Sequence, residues 1–189
     1  MCLMNLPNKL TMLRIVLVPA AAVVYLMVPA DAGMIVPAWG FGVRNLVVLL
    51  IFAAASFTDF LDGNIARKRH LITTFGKFAD PIADKLLVNT LLILMVYSHD
   101  ANVAAVLLMT ARDLIVDGLR FAAAGKGEVV SAGLWGKTKT VLQMAAIIVI
   151  LLTGAGVFGQ ILLWLACACS LYSGWIYFEK LKGYVLESM

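Results

Sequence analysis

The chain has 189 residues, of which 62% are hydrophobic and only 14% charged, and its mean hydropathy of +0.96 lies far outside the range of soluble globular domains. The net charge of +4 is unevenly distributed, and no nucleic-acid partner is expected. Three cysteines make no disulfide framework: Cys2 is near the start, while Cys167 and Cys169 sit two apart in an apolar run, on different faces of a helix, and read as packing.

The first segment carries Lys9 and Arg14, then an apolar run over 15–28 and the tripeptide Ala30-Asp31-Ala32. That imitates a secretory leader with its cleavage site, but retention as a first membrane helix is the expectation. Five further apolar segments follow, at about 45–66, 77–98, 102–124, 138–157 and 160–178. The predicted fold is therefore all-α, a polytopic integral membrane protein with six transmembrane helices in one domain, 1–189. The uncharged parts of the second, third and fourth segments, 45–58, 86–99 and 101–111, are shorter than the roughly 20 residues a span needs. Their charged ends, Asp59/Asp62, Asp80/Asp84 and Arg112/Asp113, are thus expected partly within membrane depth, facing a shared polar cavity. Pro81 falls in an early helical turn, where a missing N–H is best tolerated.

Basic residues alternate between the connections. Lys9 and Arg14 precede the first helix; Arg67, Lys68, Arg69 and Lys77 lie between the second and third; Arg120, Lys126, Lys137 and Lys139 between the fourth and fifth; Lys180 and Lys182 follow the sixth. The other connections hold only Arg44. By the positive-inside rule both termini and the acidic cluster face the cytoplasm, at the cell (inner) membrane. The triplets Ala20-Ala21-Ala22, Ala53-Ala54-Ala55 and Ala122-Ala123-Ala124 read as close helix packing.

The chemistry concentrates in Asp59-Phe-Leu-Asp62-Gly63-Asn-Ile-Ala66-Arg67 and, eight residues on, Gly76-Lys-Phe-Ala-Asp80-Pro-Ile-Ala-Asp84. A charge in so apolar a chain is costly without a partner. On a helix Asp59 and Asp62 share one face at i,i+3, and Asp80 and Asp84 share another at i,i+4. Four carboxylates brought together repel unless cations sit between them, and hard oxygen donors select Mg²⁺ or Mn²⁺ over zinc.

At Asp59, Asp62, Gly63, Ala66, Arg67, Gly76, Asp80 and Asp84 the sequence resembles the CDP-alcohol phosphotransferase family, matching every fixed position of its Asp-x2-Asp-Gly-x2-Ala-Arg-x8-Gly-x3-Asp-x3-Asp signature. The resemblance runs over nearly the whole chain. It implies a membrane enzyme, a homodimer, that moves a phosphatidyl group from CDP-diacylglycerol to an alcohol and releases CMP; the flanking segments look most like the branch that uses glycerol 3-phosphate. It further implies that Asp59, Asp62, Asp80 and Asp84 bind two Mg²⁺ or Mn²⁺ ions and that Asp84 is also the general base. The opening Asn5 to Arg14 resembles a segment that helps cover the nucleotide, which assigns Asn8, Thr11, Asp62, Gly63, Ala66 and Arg67 to the CDP moiety. The small Gly63 and Ala66 suit a nucleotide pressed against the helix backbone, and Arg67 is a helix-end charge able to reach a phosphate.

Arg112 and Arg120 are eight apart, about 80° round a helix. With Lys137 and Lys139 they make four cations suited to an acceptor that brings its own phosphate; the bland alternative is contact with anionic lipid. Asp113 and Asp117 depart from the family pattern and leave room for local pairing with the arginines. Rival acceptors are inositol, inositol phosphate, serine and phosphatidylglycerol, and the rival class is a divalent-cation transporter, which has no need of Gly63, Ala66 and Arg67 at fixed offsets. Gly154, Gly156 and Gly159 mimic a dinucleotide motif without a preceding strand and read as a turn, and His70 and His99 read as solvated loop residues.

Overall fold

The computed structural model describes residues 5–68, 74–125 and 133–186, and among these every side chain except those of 6, 7, 60–68, 74–79, 81, 125 and 184–186. Six α-helices account for most of the chain: α1 Leu6–Met27, α2 Val43–Lys68, α3 Thr74–Tyr97, α4 Val103–Gly125, α5 Leu134–Thr153 and α6 Val157–Leu186. Each overlaps most of one of the six segments expected from hydropathy, α5 lying about four residues earlier than its segment. Two extend well past them. α1 starts nine residues before its apolar run because Pro7 suits a helix's first turn and 8–14, a mixed stretch of polar residues with Leu10, Met12 and Leu13, continue the helix; α6 runs on to Leu186 through Glu179, Lys180 and Lys182.

Between α1 and α2 the structure adds a feature absent from the sequence reading, a small antiparallel hairpin of β1 (Met34–Val36) and β2 (Phe41–Gly42), with Met34 opposite Gly42 and Val36 opposite Phe41. Pro37 opens a single 3-10 turn over Pro37–Trp39, and Gly40 closes it at φ 65°, a left-handed backbone that glycine adopts without strain.

Three helices contain stretches long and apolar enough to cross a membrane among the described residues: Asn8–Met27, Leu134–Thr153 and Val157–Gly183. The chain is a membrane protein by that measure. Large apolar side chains are accordingly exposed along the helices, such as Val23, Leu50, Leu107, Leu114, Ile161 and Trp175. In lipid these need no further cover, and helix association depends on close packing instead. Each alanine triplet buries one member, Ala21, Ala55 and Ala123, and leaves the other two exposed or, at Ala22, half-buried.

The chain divides into two compact units, Met1–Tyr97 with Leu151–Gly154, and Ser98–Ile150 with Ala155–Met189. In the first, α1 packs against α2 and α3. The buried stripe of α1 runs Thr11, Arg14, Val18, Ala21, Tyr25, a strict 3-4-3-4 spacing that keeps one face inward. Val48, Phe52 and Ala55 continue to Asp59 on α2; Leu91 and Leu87 lead back to Asp84 on α3. Arg44, at the start of α2, stacks its guanidinium 4.4 Å over the Tyr25 ring near the end of α1, while Arg14 meets Asp59 at the other end. α1 and α2 are therefore antiparallel. Thr11 meets Asp80 and Arg14 meets Asp84, so α1 and α3 run in parallel. Asn45 is buried and donates from Nδ2 to the Leu151 carbonyl at 3.0 Å.

In the second unit α4 packs on α6 through Val116, Ala123, Tyr177 and Leu181. Gly159 lies where a Cβ would fall 2.6 Å from Ile150 Cγ1, so the α5–α6 connection closes tightly only on glycine. His99 is exposed in the α3–α4 turn at φ 63°, in keeping with its reading as a solvated residue.

Candidate active site

Three inward stripes that are apolar for most of their length turn polar at the same end of α1, α2 and α3. The Arg14 side chain is fully buried. Its Nη1 lies 2.8 Å from Asp59 Oδ1 and donates to Asp84 Oδ1 at 2.6 Å, so one nitrogen joins carboxylates from two helices. Three residues earlier on the same helix face, Thr11 donates from Oγ1 to Asp80 Oδ1 at 2.7 Å. The carboxylate side chains of Asp59 and Asp84 keep 43% and 44% of their surface exposed, which leaves them open to an incoming ligand. Asp59 and Asp84 can approach this closely because a positive group lies between them; in a poorly polarisable interior two bare carboxylates would repel strongly.

Sequence reasoning placed Asp59, Asp80 and Asp84 in one site, and α1 draws all three to itself. Asp62, Gly63, Ala66 and Arg67, on the last turns of α2, and Gly76 on α3 are described as helix only, and their surroundings lie outside the description. Among the described residues no three acidic, histidine or cysteine side chains form a group that could hold a metal ion. The donor chemistry nevertheless fits a hard divalent cation: the convergent groups are all oxygen, they come from two helices, and they gather on a point that already favours positive charge. Asn8 is half-buried on the first turns of α1.

The candidate acceptor residues fall in the second unit, and the structure sorts them. Asp113 is buried and accepts from Lys139 Nζ through both carboxylate oxygens at 2.7 Å. Arg112 Nη1 donates to the same Asp113 Oδ1 at 2.9 Å, and Arg112 Nη2 donates to Ser173 Oγ on α6. The Arg112 guanidinium also lies 5.8 Å from the centre of the Tyr177 ring. Gly174 makes room for it: a Cβ there would stand 2.9 Å from Arg112 Cγ. Arg112 and Lys139 are thus brought together by the carboxylate whose departure from the family pattern had left pairing open. Lys137 is exposed, about 200° round α5 from Lys139. Arg120 is half-buried on α4. Beside Ser173 and Tyr177 is a hollow of about 70 Å³, also lined by Trp135, Gly136 and Lys180.

A family model described as CDP-alcohol phosphatidyltransferase matches residues 4–172, a span that contains the whole acidic motif and all the candidate acceptor cations. The chain belongs to the CDP-alcohol phosphatidyltransferase family. Its similarity to curated members of that family is end to end. It is 41% identical over 183 residues to the CDP-diacylglycerol–glycerol-3-phosphate 3-phosphatidyltransferase of Bacillus subtilis (strain 168), covering 93% of this chain and 94% of that protein. The protein of the same name from Rickettsia bellii (strain RML369-C) is 39% identical over 188 residues, 95% of this chain and 97% of its own length. That from Haemophilus influenzae is 31% identical over 192 residues, 98% of this chain and 97% of its own.

Within this CDP-alcohol phosphatidyltransferase chain, the pairing of Arg14 with Asp59 and Asp84 is what the sequence does not announce: there Arg14 reads as a topology-setting charge that ends the segment resembling a nucleotide cover. The signal was present in the spacing of Thr11, Arg14, Val18, Ala21 and Tyr25, which puts the arginine on the same stripe as the buried apolar residues. Ser173 and Tyr177 were also missed, because nothing in the pattern of α6 sets them apart from the small and aromatic residues around them.

Proposed function

We propose that this protein transfers the phosphatidyl group of CDP-diacylglycerol to sn-glycerol 3-phosphate, giving phosphatidylglycerophosphate and CMP, in anionic phospholipid synthesis. The observation that carries the reading is the meeting of Asp59 and Asp84 at one cationic nitrogen, in a chain similar over its whole length to enzymes named for this reaction. Asp59, Asp62, Asp80 and Asp84 would hold Mg²⁺ or Mn²⁺, two ions in all, which when bound neutralise the diphosphate and its leaving CMP. Asp84 takes the proton of the attacking hydroxyl as that oxygen bonds to the phosphatidyl phosphorus and the diphosphate P–O bond breaks. Thr11 orients Asp80 for its part, and the nucleotide is assigned to Asn8, Thr11, Asp62, Gly63, Ala66 and Arg67.

The acceptor's phosphate is assigned to Arg112, Arg120, Lys137 and Lys139. Two cations sharing the single Asp113 carboxylate retain net positive charge, and the carboxylate holds both in fixed orientation. In this reading all six helices span the cell membrane, α2, α3 and α4 with their charged ends at membrane depth. Both termini and the carboxylates face the cytoplasm, and the enzyme works as a homodimer. A cation transporter would need the carboxylates but not Gly63, Ala66 and Arg67 at fixed offsets from them.

The test is CMP release by purified protein given CDP-diacylglycerol, Mn²⁺ and, in parallel, glycerol 3-phosphate, inositol, inositol phosphate, serine or phosphatidylglycerol. Release with glycerol 3-phosphate alone is expected. Release with another acceptor instead reassigns the substrate, and no release with any sinks the reaction.

A further inference from the structure

The buried arginine between Asp59 and Asp84 has no assigned part in the reaction. A divalent ion coordinates carboxylate oxygen at about 2.0–2.6 Å, and Arg14 Nη1 stands at 2.8 and 2.6 Å from Asp59 Oδ1 and Asp84 Oδ1. An ion bound to those two oxygens would sit in close contact with the guanidinium, and like charges so near repel. Arg14 is also poorly placed to be a mere surface partner: its side chain has no exposed area, and it rises from a helix stretch apolar enough to cross a membrane, where a charge persists only with counter-charges beside it. Removing all cations would leave the two carboxylates repelling across the helix interface.

We propose that Arg14 is a built-in placeholder cation. In the metal-free protein its guanidinium bridges Asp59 and Asp84 and keeps α2 and α3 together; when a divalent ion binds, Arg14 gives up these oxygens. The consequence is a competition that lowers metal affinity while it protects the empty site, since apparent affinity falls by the fraction of protein in the metal-competent arrangement. The proposal rests on the divalent-metal reading of the same carboxylates, so its test separates the two.

Mn²⁺ binding to the purified, EDTA-stripped protein is measured by electron paramagnetic resonance, alongside the melting temperature with and without Mn²⁺. Arg14→Gln is expected to bind Mn²⁺ roughly tenfold more tightly than the wild type, to melt lower without metal, and to gain more in melting temperature when Mn²⁺ is added. Arg14→Lys keeps a positive charge in the gap and should fall between the two. Equal or weaker Mn²⁺ binding by Arg14→Gln, with normal binding by the wild type, overturns the placeholder and leaves the metal reading standing. Absence of Mn²⁺ binding by the wild type removes both. Should Arg14→Gln fail to fold, wild-type structures with and without Mg²⁺ decide: Arg14 Nη1 must leave at least one of Asp59 and Asp84 in the loaded form, and retention of both contacts refutes the proposal.

Discussion

Asp113 shows how much one carboxylate can organise. It accepts both bonds from Lys139 and one from Arg112, all within a buried part of the second unit. Breaking a buried ion pair by removing one partner costs more than removing the pair, because the remaining charge is left without compensation. Asp113→Asn is therefore expected to destabilise the protein by about 3–5 kcal/mol, whereas Asp113→Asn combined with Lys139→Met costs less than the single change. Chemical unfolding in detergent of the two variants checks this, and a double variant no better than the single would contradict it. Lys137, exposed on the opposite side of α5, carries a different expectation. Lys137→Ala raises the KM for glycerol 3-phosphate more than that for CDP-diacylglycerol, and steady-state kinetics showing neither effect would remove it from the acceptor group.

At the scale of elements, close approach is set by small residues, as expected where lipid offers no hydrophobic drive to association. Gly174 lets α6 accept the Arg112 stem of α4, and a larger residue must displace it. Gly174→Leu should cost about 1–3 kcal/mol through overpacking and lower the melting temperature, while Gly183→Leu, where a Cβ meets nothing within 4 Å, leaves it unchanged. The six helices were legible because each follows an apolar run, and the acidic motif because its spacing is fixed. The hairpin at 34–42 was not: it is only three and two residues a strand and rests on the turn made by Pro37 and Gly40. Nor was the length of α1, since charges normally signal a helix end, yet here Arg14 is drawn inside by partners 45 and 70 residues away in sequence. The pairing of Lys139 with Asp113 was hidden for the same reason, a contact between α5 and α4 that no local pattern records.

For the whole molecule, the proposed topology, six spans with both termini in the cytoplasm, predicts which positions a membrane-impermeant maleimide can reach. In intact cells, with the three native cysteines changed to serine, Asp31→Cys labels from outside and Lys180→Cys only after the membrane is opened; the reverse pattern would invert the topology. If carboxylates from α2 and α3 gather a divalent cation for phosphatidyl transfer, turnover depends on both the metal and the carboxylates. The most direct measurement is CMP release, with glycerol 3-phosphate present, by EDTA-stripped protein before and after Mn²⁺ is restored, in the wild type and in Asp84→Asn. No release without metal, recovery in the wild type, and a loss of roughly a thousandfold or more in the restored variant are expected; full turnover by stripped wild-type protein, or by Asp84→Asn, would contradict a metal-dependent carboxylate site.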